Sequence, residues 1–187
     1  MFKESITNEE LSEMPLKMFE GDIIMVDSDS RLHFAVKELS DQPIIGFDTE
    51  TKPSFKKGAI NKVALLQLST AERAFLFRLN RIGLPEEIRE ILSNPNILKP
   101  GVAIRDDIKG LQEIVNFEPA GFVELQDKAK DMGIQNFSLK KLAAIICGFR
   151  ISKGQQLSNW EAPELTEAQQ VYAATDAWAA LKIFENI

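Results

Sequence analysis

A single cysteine, Cys147, occurs among 187 residues. It excludes an internal disulfide framework and fits a reducing compartment; as a lone thiol with only His33 as a possible partner it is a poor nucleophile candidate. Long apolar runs are also missing. Stretches such as Leu142-Ala-Ala-Ile-Ile-Cys147 fall far below the roughly 18 residues of a membrane span, and the start, Met1 to Glu10, has neither the basic nor the apolar region of a secretory signal. A soluble, cytoplasmic protein with no membrane contact is expected. One histidine excludes a histidine-rich metal site, so hard oxygen donors are left for any ion. A basic surplus is absent too: the net charge is −6, which excludes affinity built on charge alone. Local clusters, Lys56-Lys57, Lys140-Lys141 and Arg150 with Lys153, either line a groove or are ordinary solvated lysines.

What is present is one domain's worth of chain, 44% hydrophobic and 27% charged. Strand and helix patterns alternate, which gives an α/β class. Thr7 to Glu10 has capping-box spacing for a short helix that Pro15 ends. Ile23 to Val26 reads as a strand, and Ser28 or Asp29 caps a helix through Leu39. A second strand covers Ile44 to Asp48. Val63 to Ser69 and Ala74 to Phe77 form an antiparallel hairpin. Helices are expected at Glu86 to Leu92 and Ile104 to Val115, strands at Ile97 to Val102 and Phe122 to Leu125. Ser138 opens a helix that Gly148 closes, a loop runs from Ile151 to Pro163, and Thr166 with Gln169 caps a last helix to about Phe184.

Candidate chemistry starts from Asp48 and Glu50. In an extended chain their side chains share a face while Phe47 takes the other, so they form a two-carboxylate claw. A lone Asp-x-Glu triplet is weak, but desolvating two like charges beside Ile44, Ile45 and Phe47 calls for a cation or donors. Tyr172 and Asp176, four apart, share a helix face with Ala179 and Ile183. In the helix from Ile104 the apolar stripe is Ile104, Ile108, Leu111 and Val115; Asp107 lies within about 70° of its centre and Asp106 nearly opposite. Asp107 is therefore the candidate fourth acid, and Asp106 a solvated charge at a helix N-terminus.

Phe47-Asp-Thr-Glu-Thr51, Gly101-Val-Ala-Ile-Arg-Asp-Asp107 and Tyr172-Ala-Ala-Thr-Asp176, in this order and spacing, resemble the three motifs of the DEDDy 3′-to-5′ exonucleases, of the ribonuclease D and Werner-helicase exonuclease type. Leu157-Ser-Asn-Trp160 followed by Leu165-Thr-Glu-Ala-Gln169 adds to the likeness. The resemblance covers about residues 22 to 187, leaving 1 to 21 as a short extension. It implies a ribonuclease H-like mixed sheet, three antiparallel strands then parallel ones, with helices on both faces. It also implies hydrolysis of the 3′-terminal phosphodiester of single-stranded or recessed DNA, releasing nucleoside 5′-monophosphates, with a ribonuclease D-like RNA-trimming activity or a catalytically silent binding module as alternatives. Two divalent ions, Mg²⁺ or Mn²⁺, are implied: one held by Asp48, Glu50 and Asp176, the other by Asp48 and Asp107, with Tyr172 orienting the attacking water. Thr49 and Phe55 are candidate substrate contacts. Thr51 departs from the tryptophan that related domains often carry there.

Overall fold

The computed structural model describes residues 2–55, 58 and 61–187; Lys56 and Lys57, one of the basic pairs, lie outside the described residues. The first helix, α1 (Asn8–Glu13), forms because Thr7 and Glu10 cap it reciprocally: the Thr7 hydroxyl accepts from Glu10 N, and the Glu10 carboxylate accepts from Thr7 N. It stops at Met14, whose extended backbone suits the residue before a proline. Then follow β1 (Asp22–Val26), α2 (Asp29–Ser40), β2 (Gly46–Thr51), β3 (Val63–Ser69), β4 (Arg73–Arg78), α3 (Leu79–Ile82), α4 (Glu86–Leu92), β5 (Lys99–Gly101), α5 (Ile104–Ile114), β6 (Phe122–Glu124), α6 (Leu125–Asp131) and α7 (Leu139–Leu142). α7 runs into a π-helical segment, Ala143–Cys147, closed by Gly148 at φ 75°, and the chain ends in α8 (Glu167–Glu185).

The sheet is mixed, as expected. Its order is β1-β4-β3-β2: β2, β3 and β4 form the antiparallel trio, and β1 joins β4 in parallel. β5 and β6 pair in parallel, and a parallel bridge between Ile44 and Leu98 leads β5 alongside the start of β2.

Helices cover both faces of the sheet. On one, Phe47, Leu66, Leu68, Phe75 and Phe77 pack with Leu32, Leu39, Ile88, Leu92 and Leu111 from α2, α4 and α5. On the other, Leu76 and Ala64 meet Trp160, Leu165 and Ala173. Seven consecutive buried residues make β3 the centre of this sandwich. At Gly46 the backbone of α8 lies directly on β2: a Cβ there would come within 1.9 Å of the Ala177 carbonyl oxygen.

Some boundaries moved for reasons that are not local. The second strand begins at Gly46 and continues to Thr51, because Ile45 N donates to the Leu98 carbonyl instead of joining the β2–β3 ladder. Asp48 and Glu50 are thus inside a strand, with a bulge just after Glu50. Ser28 takes the N-cap position of α2 without a side-chain bond to its amides. The short helices α3 and α6 had no periodic signal to announce them.

The segment before β1 packs on the rest. Gln135 N donates to Glu4 O, Ile6 N to Asn136 Oδ1, and Phe19 N to Thr175 Oγ1, at 2.7, 2.9 and 2.9 Å. Ile6 and Leu11 are buried against Ala144. No helix among the described residues is long and apolar enough to cross a membrane.

Candidate active site

Three acids from opposite ends of the chain meet at one place. β2 projects Asp48 and Glu50 to the same side while Phe47 enters the core, and α8 lies across that side with Asp176 facing the strand, 7% exposed. Asp48, Glu50 and Asp176 each offer a carboxylate oxygen, and these atoms lie within 4.8 Å of one another. The closeness of α8 follows from its alanines 173, 174, 177 and 180, all buried, over Gly46.

Such proximity shows in the proton affinities. Burial, then the charges of Asp176, Glu50 and Asp107, push Asp48 well above the usual carboxylate range, against a bond from Thr49 N to Asp48 Oδ1 at 2.9 Å. Burial, then Asp176 and Asp107, push Glu50 up to about 9. Burial also raises Asp176, opposed by a hydrogen bond from the Tyr172 hydroxyl and by the charge of Lys153. The Tyr172 phenol is itself pushed far up by burial and by Asp176 and Glu50, so it stays a proton donor.

Asp107 stands beside this trio. Thr49 donates its hydroxyl to Asp107 Oδ1 at 2.5 Å, and burial raises Asp107 to about 6 in spite of that bond. Its neighbour Asp106 is exposed, as the helical angle requires.

Asp48, Glu50 and Asp176, but not Asp107, line a cleft of about 270 Å³ together with Thr49, Ser138, Lys140, Ser152, Lys153, Gln156 and Tyr172, with Val102, Leu139, Ile151 and Ala180 as its apolar wall. Of the basic clusters, Lys140 and Lys153 face this cleft. Arg150 instead donates its Nε to the Met14 carbonyl. Phe55 does not line the cleft and is 87% exposed. His33 is exposed on α2, and burial pushes the Cys147 thiol up to about 11, which favours its protonated form.

A family model described as 3′-5′ exonuclease matches residues 23–187. The chain belongs to this family. The chain is 33% identical over 184 residues to the bifunctional 3′-5′ exonuclease/ATP-dependent helicase WRN of Mus musculus, a match that takes in 93% of this chain and 13% of the mouse protein. Among solved structures, the Nibbler EXO domain of Aedes aegypti superposes with a TM-score of 0.82 at 24% identity, covering 91% of this chain and 90% of that one. Escherichia coli RNase D, described as an exoribonuclease of structured RNA processing, gives 0.78 at 24% identity over 88% of this chain and 44% of that one. These two likenesses establish the shared fold.

Sequence reasoning missed three groups here. Ser138, Ser152 and Gln156 reach the cleft only through tertiary folding of α7 and the loop before α8. Gln67, cross-strand partner of Asp48, is fully buried, with no hydrogen-bond partner for its amide among the described residues. Glu124 accepts from three backbone amides at the starts of α5 and α6. Only Gln67 carried a local signal, a polar residue within an otherwise apolar strand.

Proposed function

We propose that this exonuclease hydrolyses the 3′-terminal phosphodiester of DNA, releasing nucleoside 5′-monophosphates one at a time, with Asp48, Glu50, Asp107 and Asp176 as ligands of two divalent ions, Mg²⁺ or Mn²⁺. The observation that carries this reading is the meeting of Asp48, Glu50 and Asp176 oxygens within 4.8 Å, beside Tyr172, in an open cleft.

The donors fit such ions. All are carboxylate oxygens, the ligands that hard cations select. Their raised proton affinities come first from burial and then, for Asp48 and Glu50, from neighbouring carboxylates, and among the described residues Lys153 is the cation that opposes them at Asp176. Bound divalent ions would neutralise charge developing at the attacking and leaving oxygens of an in-line displacement.

The remaining chemistry falls to the chain's own side chains. Tyr172 keeps its proton and, bonded to Asp176, would orient the attacking water. Lys140 and Lys153 are the cleft's cations and suit the phosphates of the entering strand. Thr49 lines the floor between the two strand acids. Residues 22–187 form the catalytic domain in this reading, and 1–21 an extension. DNA is placed first because of the 33% identity to a bifunctional 3′-5′ exonuclease/ATP-dependent helicase.

The test is incubation of 5′-labelled single-stranded DNA, recessed duplex DNA and RNA with Mn²⁺, for the wild type and Asp48→Asn. A ladder shortened from the 3′ end of DNA that disappears in the variant is expected. Degradation confined to RNA would make the protein a trimming ribonuclease. A ladder that persists in Asp48→Asn would sink the site assignment, and no ladder on any substrate would leave a silent binding module.

A further inference from the structure

The turn that brings Asp107 to the site is held by a carboxylate from another strand. Among the described residues Ala103, at the start of α5, is the only non-glycine with positive φ, at φ 59° and ψ 37°. A left-handed backbone crowds a Cβ against the following carbonyl, so an alanine holds it only when neighbours enforce it. As the N-cap residue it also has no side chain with which to accept from the free amides of α5.

Glu124, the last residue of β6, supplies both functions. Its Oε1 accepts from Ala103 N and its Oε2 from Ile104 N, each at 2.9 Å. Oε1 also accepts from Gln126 N at 3.1 Å, so one carboxylate closes the starts of α5 and α6 together. The positive ends of both helix dipoles favour its charge. Asp107 follows one turn after the clamped amides, where a small rotation of α5 about its first turn would take it away from Thr49 Oγ1.

We propose that Glu124 is a positioning residue for Asp107: by clamping the left-handed turn at Ala103 it fixes the angle of α5, and so holds Asp107 in register with Thr49 and Asp48. The proposal rests on the reading of Asp107 as a metal ligand. Glu124 acts one step removed from the ion, as outer carboxylates do in metal sites that lose affinity without losing the fold. A mere helix cap would change stability and leave metal affinity alone.

Mn²⁺ binding is measured by calorimetry, and the half-saturating Mn²⁺ for hydrolysis separately, on wild type, Asp107→Asn, Glu124→Gln and Glu124→Ala. Gln keeps one acceptor oxygen and turns an amide group toward the other N–H, so it breaks half of the clamp. Asp107→Asn is expected to lose the second binding event, Glu124→Ala to weaken it about tenfold, and Glu124→Gln to fall between. Should Glu124→Ala not fold, Glu124→Ala with Ala103→Gly removes the strained conformation and allows the same titration, again with weakened binding expected. Wild-type Mn²⁺ affinity in the folded Glu124 variants, alongside a weakened Asp107→Asn, overturns the proposal. Unchanged binding in Asp107→Asn overturns the metal-ligand reading of Asp107 itself, and the proposal with it.

Discussion

The Thr49 hydroxyl donates to Asp107 Oδ1 at 2.5 Å and so joins β2, which carries Asp48 and Glu50, to α5. This bond holds one carboxylate oxygen and lowers the proton affinity that burial raises. Thr49→Val keeps the shape and removes the donor. A hydrogen bond to a charged group is worth about 1.5–3 kcal/mol, so the melting temperature should fall, and kcat/KM should fall by about 10- to 100-fold at temperatures where the variant stays folded. Steady-state hydrolysis of a labelled strand at fixed Mn²⁺ checks it. Full activity in the valine variant would show that the bond does not matter.

The acid cluster predicts an unusual pH dependence for the metal-free protein. Asp48, Glu50, Asp107 and Asp176 all have folded proton affinities above their ordinary values, with burial as the leading cause. The folded state binds protons more tightly than the unfolded chain, so stability from these groups is complete below about pH 4. It is lost as pH rises through about 6 for Asp107 and about 9 for Glu50. In chelator the melting temperature should fall from pH 5 to pH 9, and millimolar Mg²⁺ or Mn²⁺ should abolish most of the decline. A chelated protein whose melting temperature rises over this range would contradict the cluster's electrostatics.

Gly46 is the point at which α8 rests on β2. Because an added Cβ would meet the Ala177 carbonyl oxygen and carbon at 1.9 and 2.8 Å, both backbone atoms, no rotamer change relieves Gly46→Ala. Overpacking of this kind costs about 1–3 kcal/mol or more, and α8 must shift, taking Tyr172 and Asp176 with it. Urea unfolding should show the loss, and activity should fall further than stability alone explains.

Lys99 is wholly buried, and its ammonium donates to the carbonyls of Ile91, in the last turn of α4, and of Asn94 and Ile97 beyond it. Burial pushes it down to about 8. Lys99→Met retains the stem and leaves three carbonyls without that donor, which should destabilise by about 1–3 kcal/mol. Thermal unfolding at pH 7 measures it; a more stable methionine variant would mean that the desolvation of the ammonium outweighs its bonds.

Tyr172→Phe separates the phenol from the ring. Orientation of the attacking water by a single hydroxyl is worth about 100- to 1,000-fold in rate. The expected result is a loss of that order in kcat with Mn²⁺ binding retained, read by single-turnover hydrolysis and calorimetry.

Much of this architecture was legible because its signals are local. Two capping boxes placed the starts of α1 and α8, and alternation in β2 put Asp48 and Glu50 on one face. Angular reasoning separated Asp107, bonded to Thr49, from the exposed Asp106. What stayed hidden is non-local. The boundary of β2 depends on Leu98, which draws Ile45 away from the ladder. Phe55 is a substrate-contact candidate by type, and its place outside the cleft lining was not legible in the sequence. Lys140 and Lys153 could not be told from Arg150 by composition, because only the fold turns two toward the cleft and ties the third to Met14. Glu124 had no motif at all; its role depends on two helix starts converging on one strand end.

The packing of the segment before β1 makes the unit of unfolding larger than the stretch the family model matches. The family match begins at residue 23, but Phe19 N is bonded to Thr175, one residue before Asp176, and Ile6 and Leu11 cover Ala144. A chain trimmed to the matched residues would keep Asp48, Glu50, Asp107 and Asp176 and bare the apolar side of the π-helical segment. Cooperative melting is therefore expected to extend beyond the residues the family model matches, and grafting the motif-bearing part alone into another protein would transfer the carboxylates without the buttress behind α8.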